Sequence, residues 1–236
     1  GWQWAAVAIG AGCLALAALI APVCSRYDVG LNPAAPISVR AAFLPVKLVA
    51  SHLRLREMAV TSFVYGGVQI TLVTYLVTFL IDSFALSLVL AGAVMAVSQV
   101  ASVLGRIVWG ALADRAVTRR TMLGLLGLGM GVSAMATLAA SPDWPAWVLF
   151  AFASVFGATA VGWNGVYLAE VARVAPQGQV SQATGGCLFF TFLGVVLTPL
   201  VFNLVLALGG GYGVAYAVLG VPGLVVGARL LLLRPS

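Results

Sequence analysis

Long stretches without any Asp, Glu, Lys or Arg dominate this sequence. Six of them hold at least 22 residues: 1–25, 58–81, 83–105, 121–142, 144–169 and 174–228. A membrane-spanning helix needs about 20 consecutive apolar residues, so each stretch is long enough to cross a bilayer. The last one is long enough for two crossings, with a glycine-rich turn at 209–213. The pattern predicts seven spans, at about 3–23, 58–80, 85–108, 121–140, 146–169, 183–207 and 213–232.

Composition agrees with this pattern and excludes soluble proteins. Of 236 residues, 62% are hydrophobic and only 8% are charged, whereas soluble domains carry about 25% charged residues. We therefore expect an all-α polytopic membrane protein, and neither a soluble enzyme nor a nucleic-acid-binding domain. Cys13, Cys24 and Cys187 have no paired spacing, which predicts neither a disulfide framework nor a metal or cofactor site.

Basic residues predict the orientation of the spans. With seven spans, all 12 Lys and Arg residues fall on one face, in the first, third and fifth connections and at the C-terminus. Basic residues mark the cytoplasmic loops of membrane proteins. This distribution places the N-terminus outside and the C-terminus in the cytoplasm.

The first connection is much longer than the others. It divides the chain into one helix at 1–23, a cytoplasmic loop at 24–57 and six helices at 58–236. Within the loop, Ile37–Arg56 fits a short basic amphipathic helix on the membrane surface and fits a solvated linker equally well. Beyond the loop, the pairs Gly127/Gly131 and Gly223/Gly227 predict close helix–helix contact, because small residues let helix backbones approach.

The most informative motif lies at 105–120, at the end of the third span. Gly110, Leu112, Ala113, Asp114, Arg115 and Arg119 stand there at the spacing Gly-x-Leu-Ala-Asp-Arg-x-x-x-Arg. This segment resembles the signature of the major facilitator superfamily, which joins two helices on the cytoplasmic side. Val117 and Thr118 depart from that signature, as its second copy often does.

The resemblance implies a twelve-helix transporter fold of which this chain would hold helices six to twelve. The central loop and the acidic end of the fifth span, around Glu170, fit that alignment. Helices one to five would be missing, and we interpret the start at Gly1 as a truncation point. The implied activity is secondary active transport of a small solute by alternating access, as symport or antiport. The excess of Arg over Lys and the many Ala residues suggest a bacterial gene, so we expect a bacterial inner membrane.

Several charged residues are expected near the cytoplasmic membrane surface. They are Arg106, Asp114, Arg115, Arg119, Glu170 and Arg173. We hypothesise that some of them form an ion-pair cluster that closes the inner side in one state; the alternative is that they only fix topology. Gly110 would permit close helix approach. Arg106 is the deepest charge, about one turn inside its span, and could extend its side chain outward.

Polar residues inside the spans are the candidates for substrate contact. Gln69 and Asn164 are preferred because an amide offers both a donor and an acceptor. Tyr65, Gln99, Trp163 and Tyr167 complete the candidate set. The alternative for these residues is hydrogen bonding between helices, which polar residues in membranes often perform.

No charged residue is predicted near the bilayer centre, so these spans offer no obvious proton carrier. A coupling proton would bind a carboxylate in the missing helices. Those helices and the lipid bilayer are the expected partners of this chain. No nucleophile, paired-carboxylate or metal-ligand pattern inside the spans suggests an enzyme. Two alternatives stay open: a truncated fragment that inserts without transporting and, less favoured, a seven-helix receptor.

Overall fold

A computed structural model describes residues 2–27 and 43–233, with side chains described at 3–22 and 43–233. All regular secondary structure in these ranges is helical, and a 3₁₀ turn at Thr137–Ala139 follows α5. The helices are α1 Trp2–Tyr27, α2 Leu44–Ser51, α3 Leu53–Phe84, α4 Leu88–Arg115, α5 Arg119–Ala136, α6 Ala146–Ala160, α7 Asn164–Val174, α8 Val180–Ala207 and α9 Gly211–Leu232.

Seven helical segments are long and apolar enough to cross a membrane, which confirms the predicted number of spans. The boundaries differ in four places that concern the charged residues. The second span begins at Leu53 rather than at about 58, and the third continues to Arg115 rather than ending near 108. The fourth begins at Arg119 rather than at about 121, and the fifth continues to Val174 rather than ending near 169. All four differences move charged residues from predicted loops into helices.

The chain forms two compact units, 1–39 and 40–236. In the first unit, α1 contains an apolar stretch, Gln3–Pro22, with a mean hydropathy of 2.2. The second unit contains α2 and the six remaining spans. The candidate residues all lie in this second unit.

Three helix pairs form the main contacts of the six-span bundle: α5 with α9, α3 with α8, and α4 with α6. Glycines bring the first pair together, since a Cβ added at Gly127 would lie 2.9 Å from the Gly227 Cα atom. The predicted close contact through these small residues is confirmed. The α3–α8 pair uses the same device: a Cβ at Gly194 would collide with the backbone oxygen of Phe63.

The fifth span is interrupted near its middle, where one continuous helix was predicted. Helix α6 ends at Ala160, residues 161–163 form a turn, and α7 starts at Asn164. The Asn164 amide Nδ2 donates to the Val161 carbonyl at 3.2 Å and so satisfies one backbone group freed by the turn. Interrupted helices at membrane depth persist only where protein or a water-filled cavity covers them.

Neither alternative for Ile37–Arg56, a single surface helix or a solvated linker, describes residues 43–56, where two helices meet at His52. Residues 37–42 lie outside the described residues, and α2 ends at Ser51 because His52 is extended, with φ −116° and ψ 119°. Arg54 and Arg56 belong to the first turns of α3 instead. Helix α2 packs against α8, where Gly186 makes room for the backbone of Pro45.

Candidate functional site

Three polar side chains meet in the middle of the bundle. The Gln69 carbonyl Oε1 accepts hydrogen bonds from the Trp163 indole Nε1 at 3.0 Å and from the Asn164 amide Nδ2 at 3.1 Å. Gln69 lies halfway along α3, and the other two residues lie at the interruption of the fifth span. The turn between α6 and α7 thus brings the two amides predicted as substrate ligands together at mid-membrane depth.

The Gln69–Asn164 pair keeps unused hydrogen-bonding capacity. Both side chains are only half-buried. Among residues 43–233, no hydrogen bond is made by the Gln69 Nε2 or by the Asn164 Oδ1. Each amide therefore has a donor or an acceptor group left for a further partner. The pair thus makes the hydrogen bond between helices that was the alternative to substrate contact, and it also keeps polar groups without a partner among the described residues.

The aromatic candidates lie behind the amides, inside the bundle. Tyr65 and Trp163 are 0% and 1% exposed, and their rings meet edge to face with centroids 5.6 Å apart. The Tyr65 hydroxyl donates to the Leu123 carbonyl at 2.8 Å. The Tyr167 ring meets Trp163 edge to face at 5.1 Å, while its buried hydroxyl has no hydrogen-bond partner among the described residues. These rings hold the Trp163 indole in place against Gln69.

Helix α4 carries a stripe of small and polar residues on its exposed surface. Gly92, Gln99 and Arg106 recur every seven residues, so they lie above one another at intervals of two turns. Gly110 follows on the same side, and nothing among the described residues lies within 4 Å of a Cβ added at Gly92 or Gly110. The expected close approach at Gly110 is therefore not made within this bundle. Instead, Gly105 lets the α6 backbone approach α4.

Arg106 lies deeper in its span than predicted. It stands nine residues before the end of α4 at Arg115, which is about 13 Å along a helix axis. A 28-residue helix is about 42 Å long and exceeds the ~30 Å hydrocarbon core by about 6 Å at each end. The Arg106 backbone would then lie about 7 Å inside the core. Its exposed side chain makes no hydrogen bond or ion pair with residues 43–233.

Two ion pairs line an open cavity of about 590 Å³ at the basic end of the bundle. Glu170 is 1% exposed, and its carboxylate accepts hydrogen bonds of 2.7 and 2.5 Å from the Arg173 guanidinium. Asp114 pairs with Arg119 at 2.9 Å, within the motif itself. The candidate gate residues thus form two separate pairs across one cavity, while Arg115 is exposed beside them.

A third ion pair at this end was not identified from the sequence. The Arg120 guanidinium donates to the Glu57 carboxylate at 2.7 Å and to the Leu233 carbonyl at 2.6 Å. The two charged side chains are only 11% and 16% exposed. They join the start of α3, the start of α5 and the end of α9. Glu57 was assigned to the loop, although it lies one turn inside α3. Its position beside the second span was the sequence signal that could have identified the pair.

The described residues contain no group of three or more His, Cys, Asp or Glu side chains that could hold a metal ion. Their polar chemistry is instead that of half-buried amides at mid-membrane, an unpaired guanidinium on α4, and ion pairs at the basic end. This arrangement offers hydrogen-bond donors and acceptors at mid-membrane depth and an unpaired positive charge on α4.

The comparisons with known proteins agree with the motif. The family model of the Major Facilitator Superfamily matches residues 1–199. Two relatives from Mycobacterium tuberculosis, strains CDC 1551/Oshkosh and ATCC 25618/H37Rv, carry the name probable nitrate/nitrite transporter NarK2. Each is 34% identical over 201 residues, covering 83% of this chain and 48% of the relative. The chain thus spans about half the length of these relatives, and it belongs to the major facilitator superfamily.

Proposed function

We propose that the six-span bundle is one wall of a secondary transporter that moves a small inorganic anion by alternating access. The observation that carries this proposal is Arg106, an unpaired guanidinium on the uncovered side of α4. An arginine within the hydrocarbon costs roughly 2.5–3.5 kcal/mol on insertion scales and normally faces a bundle interior or a water-filled cavity. Arg106 faces away from its own bundle, so a pathway along the α4 stripe would hydrate it.

The proposed substrate class is a small anion such as nitrate or nitrite. The name of the M. tuberculosis relatives supports this class, and so does the chemistry of Arg106. A guanidinium is always charged and presents several donors to a planar oxyanion. The candidate residues at mid-membrane depth are uncharged, so the arginine inside the span is the group that favours an anion.

Gln69, Asn164 and Gln99 would supply the neutral hydrogen bonds to this anion. Unused amide donors on Gln69 lie at mid-membrane depth, and Gln99 lies on the same stripe as Arg106. Tyr65, Trp163 and Tyr167 would act one layer behind, because burial keeps them from a hydrated path. In this arrangement the aromatic residues position the amides, and the amides and Arg106 touch the solute.

The second wall of the pathway would come from helices outside this sequence. The length of the relatives, about twice the matched region, supports this. So does the α4 stripe, where Gly92 and Gly110 leave space for a close backbone. A coupling proton would bind a carboxylate on that other wall, since no Asp or Glu lies at mid-span in α3 to α9.

We place the basic end of the bundle in the cytoplasm of a bacterial cell, with the C-terminus inside. The distribution of Lys and Arg supports this orientation. Asp114, Arg119, Glu170 and Arg173, around the 590 Å³ cavity, would then close the inner side by exchanging ion pairs with the other wall. Arg115, exposed beside them, would join that exchange.

Uptake of labelled nitrate into proteoliposomes tests the proposal on the native polypeptide that carries this sequence. Arg106→Gln should lower uptake at least tenfold with normal insertion, and Arg106→Lys should retain part of it. Lys47→Gln removes an exposed charge elsewhere in the second unit and should change nothing. Nitrate uptake by Arg106→Gln at the unmodified rate would reject the role of Arg106. Absence of nitrate or nitrite uptake by the unmodified protein would reject the substrate class, and absence of any solute flux would favour a non-transporting fragment.

A further inference from the structure

A groove runs between α3 and α9 at the basic end of the bundle. It is an open cavity of about 290 Å³ with an apolar lining that includes Leu53, Val60 and Val226. Three charged residues, Arg56, Glu57 and Arg229, stand among its lining residues. The groove on these two neighbouring spans is therefore mainly apolar, with two basic residues and one acidic residue at the basic end of the bundle.

A second cavity lies nearer the middle of the membrane, between α3, α8 and α9. It has a volume of about 240 Å³ and an almost wholly apolar lining that includes Val64, Val68 and Pro222. Val64 stands one helical turn beyond Val60 on α3, and Pro222 stands one turn before Val226 on α9, so the second cavity lies one turn farther along the same two helices. From Arg56 to Val68 the two cavities together extend about 18 Å along α3, close to the ~15 Å depth of one leaflet.

The rim of the groove carries a net positive charge. Arg56 is exposed and makes no ion pair among residues 43–233. Arg229 is 59% exposed and lies 3.9 Å from the Glu57 carboxylate. That carboxylate already bonds to Arg120 at the shorter distance of 2.7 Å. Two guanidiniums therefore remain available to an anion at the membrane surface.

We propose that this groove binds one anionic phospholipid from the leaflet on the basic side of the membrane. Its phosphate would lie between Arg56 and Arg229, and one acyl chain would follow the valines toward Val68. Basic pockets between transmembrane helices are suited to acidic lipid headgroups. The site is separate from the proposed solute pathway, which lies along α4 and at Gln69.

The lining of the groove favours a lipid over another protein helix. Helix contacts in membranes are enriched in Gly, Ala, Ser and Thr, which let backbones approach. Of these four types, the described linings contain only Thr61 in the first cavity and Thr198 in the second. Branched and long apolar side chains make up most of both linings, and the charged residues line only the first cavity.

Native mass spectrometry of the purified, full-length native protein tests the site, with phosphatidylglycerol and phosphatidylcholine as probes. The unmodified protein should retain one phosphatidylglycerol per chain in preference to phosphatidylcholine. The double variant Arg56→Gln/Arg229→Gln should lower that retention about tenfold, whereas Arg56→Lys/Arg229→Lys should keep most of it. Arg115→Gln, which removes an exposed charge from the end of α4, should leave the retention of phosphatidylglycerol unchanged.

A second pair of variants tests the groove without changing any charge. Val60→Trp fills the cavity and should lower phosphatidylglycerol retention, whereas Val225→Trp, at an exposed neighbouring position on α9, should not. Retention that survives both the double Gln variant and Val60→Trp would overturn the proposal. Equal binding of phosphatidylcholine, displacement by inorganic phosphate, or a mass that shows a second copy in place of lipid would also overturn it.

Discussion

The Gln69 side-chain carbonyl accepts a hydrogen bond from the Asn164 amide, 95 residues further along the chain, at 3.1 Å. The bond joins the centre of α3 to the interruption of the fifth span. Trp163 donates to the same oxygen at 3.0 Å, so one acceptor satisfies two donors at mid-membrane depth. Loss of that oxygen would leave the Trp163 indole without a partner and the Asn164 amide with the Val161 carbonyl alone.

Gln69→Leu should therefore destabilise the bundle by about 1–3 kcal/mol, because it leaves the N–H of the buried Trp163 indole without a partner and removes one of the two acceptors of the Asn164 amide. Thermal unfolding in detergent measures the change. Gln99→Leu is the matched control, since the Gln99 side chain is exposed and makes no hydrogen bond among residues 43–233; it should shift the midpoint little. Equal midpoints for the two variants would show that the cluster adds no stability.

The pair Glu57–Arg120 should contribute more to stability than the pair Asp114–Arg119. Removing one partner of a buried ion pair costs about 3–5 kcal/mol, because the other charge stays buried without compensation. An exposed pair contributes about 0–1 kcal/mol. Glu57→Gln should thus lower the free energy of unfolding by several kcal/mol.

The double variant Glu57→Gln/Arg120→Gln supplies the control for that prediction. It removes both charges, so it should recover part of the stability that Glu57→Gln loses. Asp114→Asn should change stability by less than about 1 kcal/mol. The effect of Arg120→Gln should be compared in the two backgrounds. If it lowers the free energy of unfolding as much in the Glu57→Gln variant as in the unmodified protein, the two charges do not interact.

Asp114→Asn should impair transport while it leaves insertion and folding intact. Asp114 and Arg119 face an open cavity, where a carboxylate can exchange partners between two states. The initial uptake rate in proteoliposomes, divided by the amount of inserted protein, is the quantity to compare. Asp143→Asn is the control: its carboxylate is also exposed but lies in the connection between α5 and α6. Unchanged uptake by Asp114→Asn would contradict the gate.

Gly127→Ala should destabilise the contact between α5 and α9. Its new Cβ would lie 2.9 Å from the Gly227 Cα atom and would overlap the Tyr65 side chain, so at least one helix must shift. Gly185→Ala is the matched control, since nothing lies within 4 Å of a Cβ there among the described residues. Alanine suits a helix better than glycine by roughly 0.5–1 kcal/mol, so Gly185→Ala should be neutral or stabilising in the same unfolding assay.

The sequence alone was sufficient for the number of spans, the all-α class and the family. Charge-free stretches of bilayer length are typical of membrane-spanning helices, and the motif around Asp114 is a local pattern. That the faces of Gly127 and Gly227 make close helix contacts was also predictable, because small residues spaced by four mark such a face whatever its partner is. Each of these features depends on residues that are close together in the sequence, or on whether a helix is surrounded by lipid or by water.

The tertiary structure decided which polar groups meet. The Gln69–Asn164 bond and the Glu57–Arg120 pair join residues 95 and 63 positions apart, and helix periodicity gives only the face of each residue, not its partner. The interruption at 161–163 was also hidden, because an apolar turn differs little in hydropathy from the helices beside it. The depth of Arg106 in its span differed most from the prediction. Because the helix continues to Arg115, this residue lies farther inside the span than about one turn.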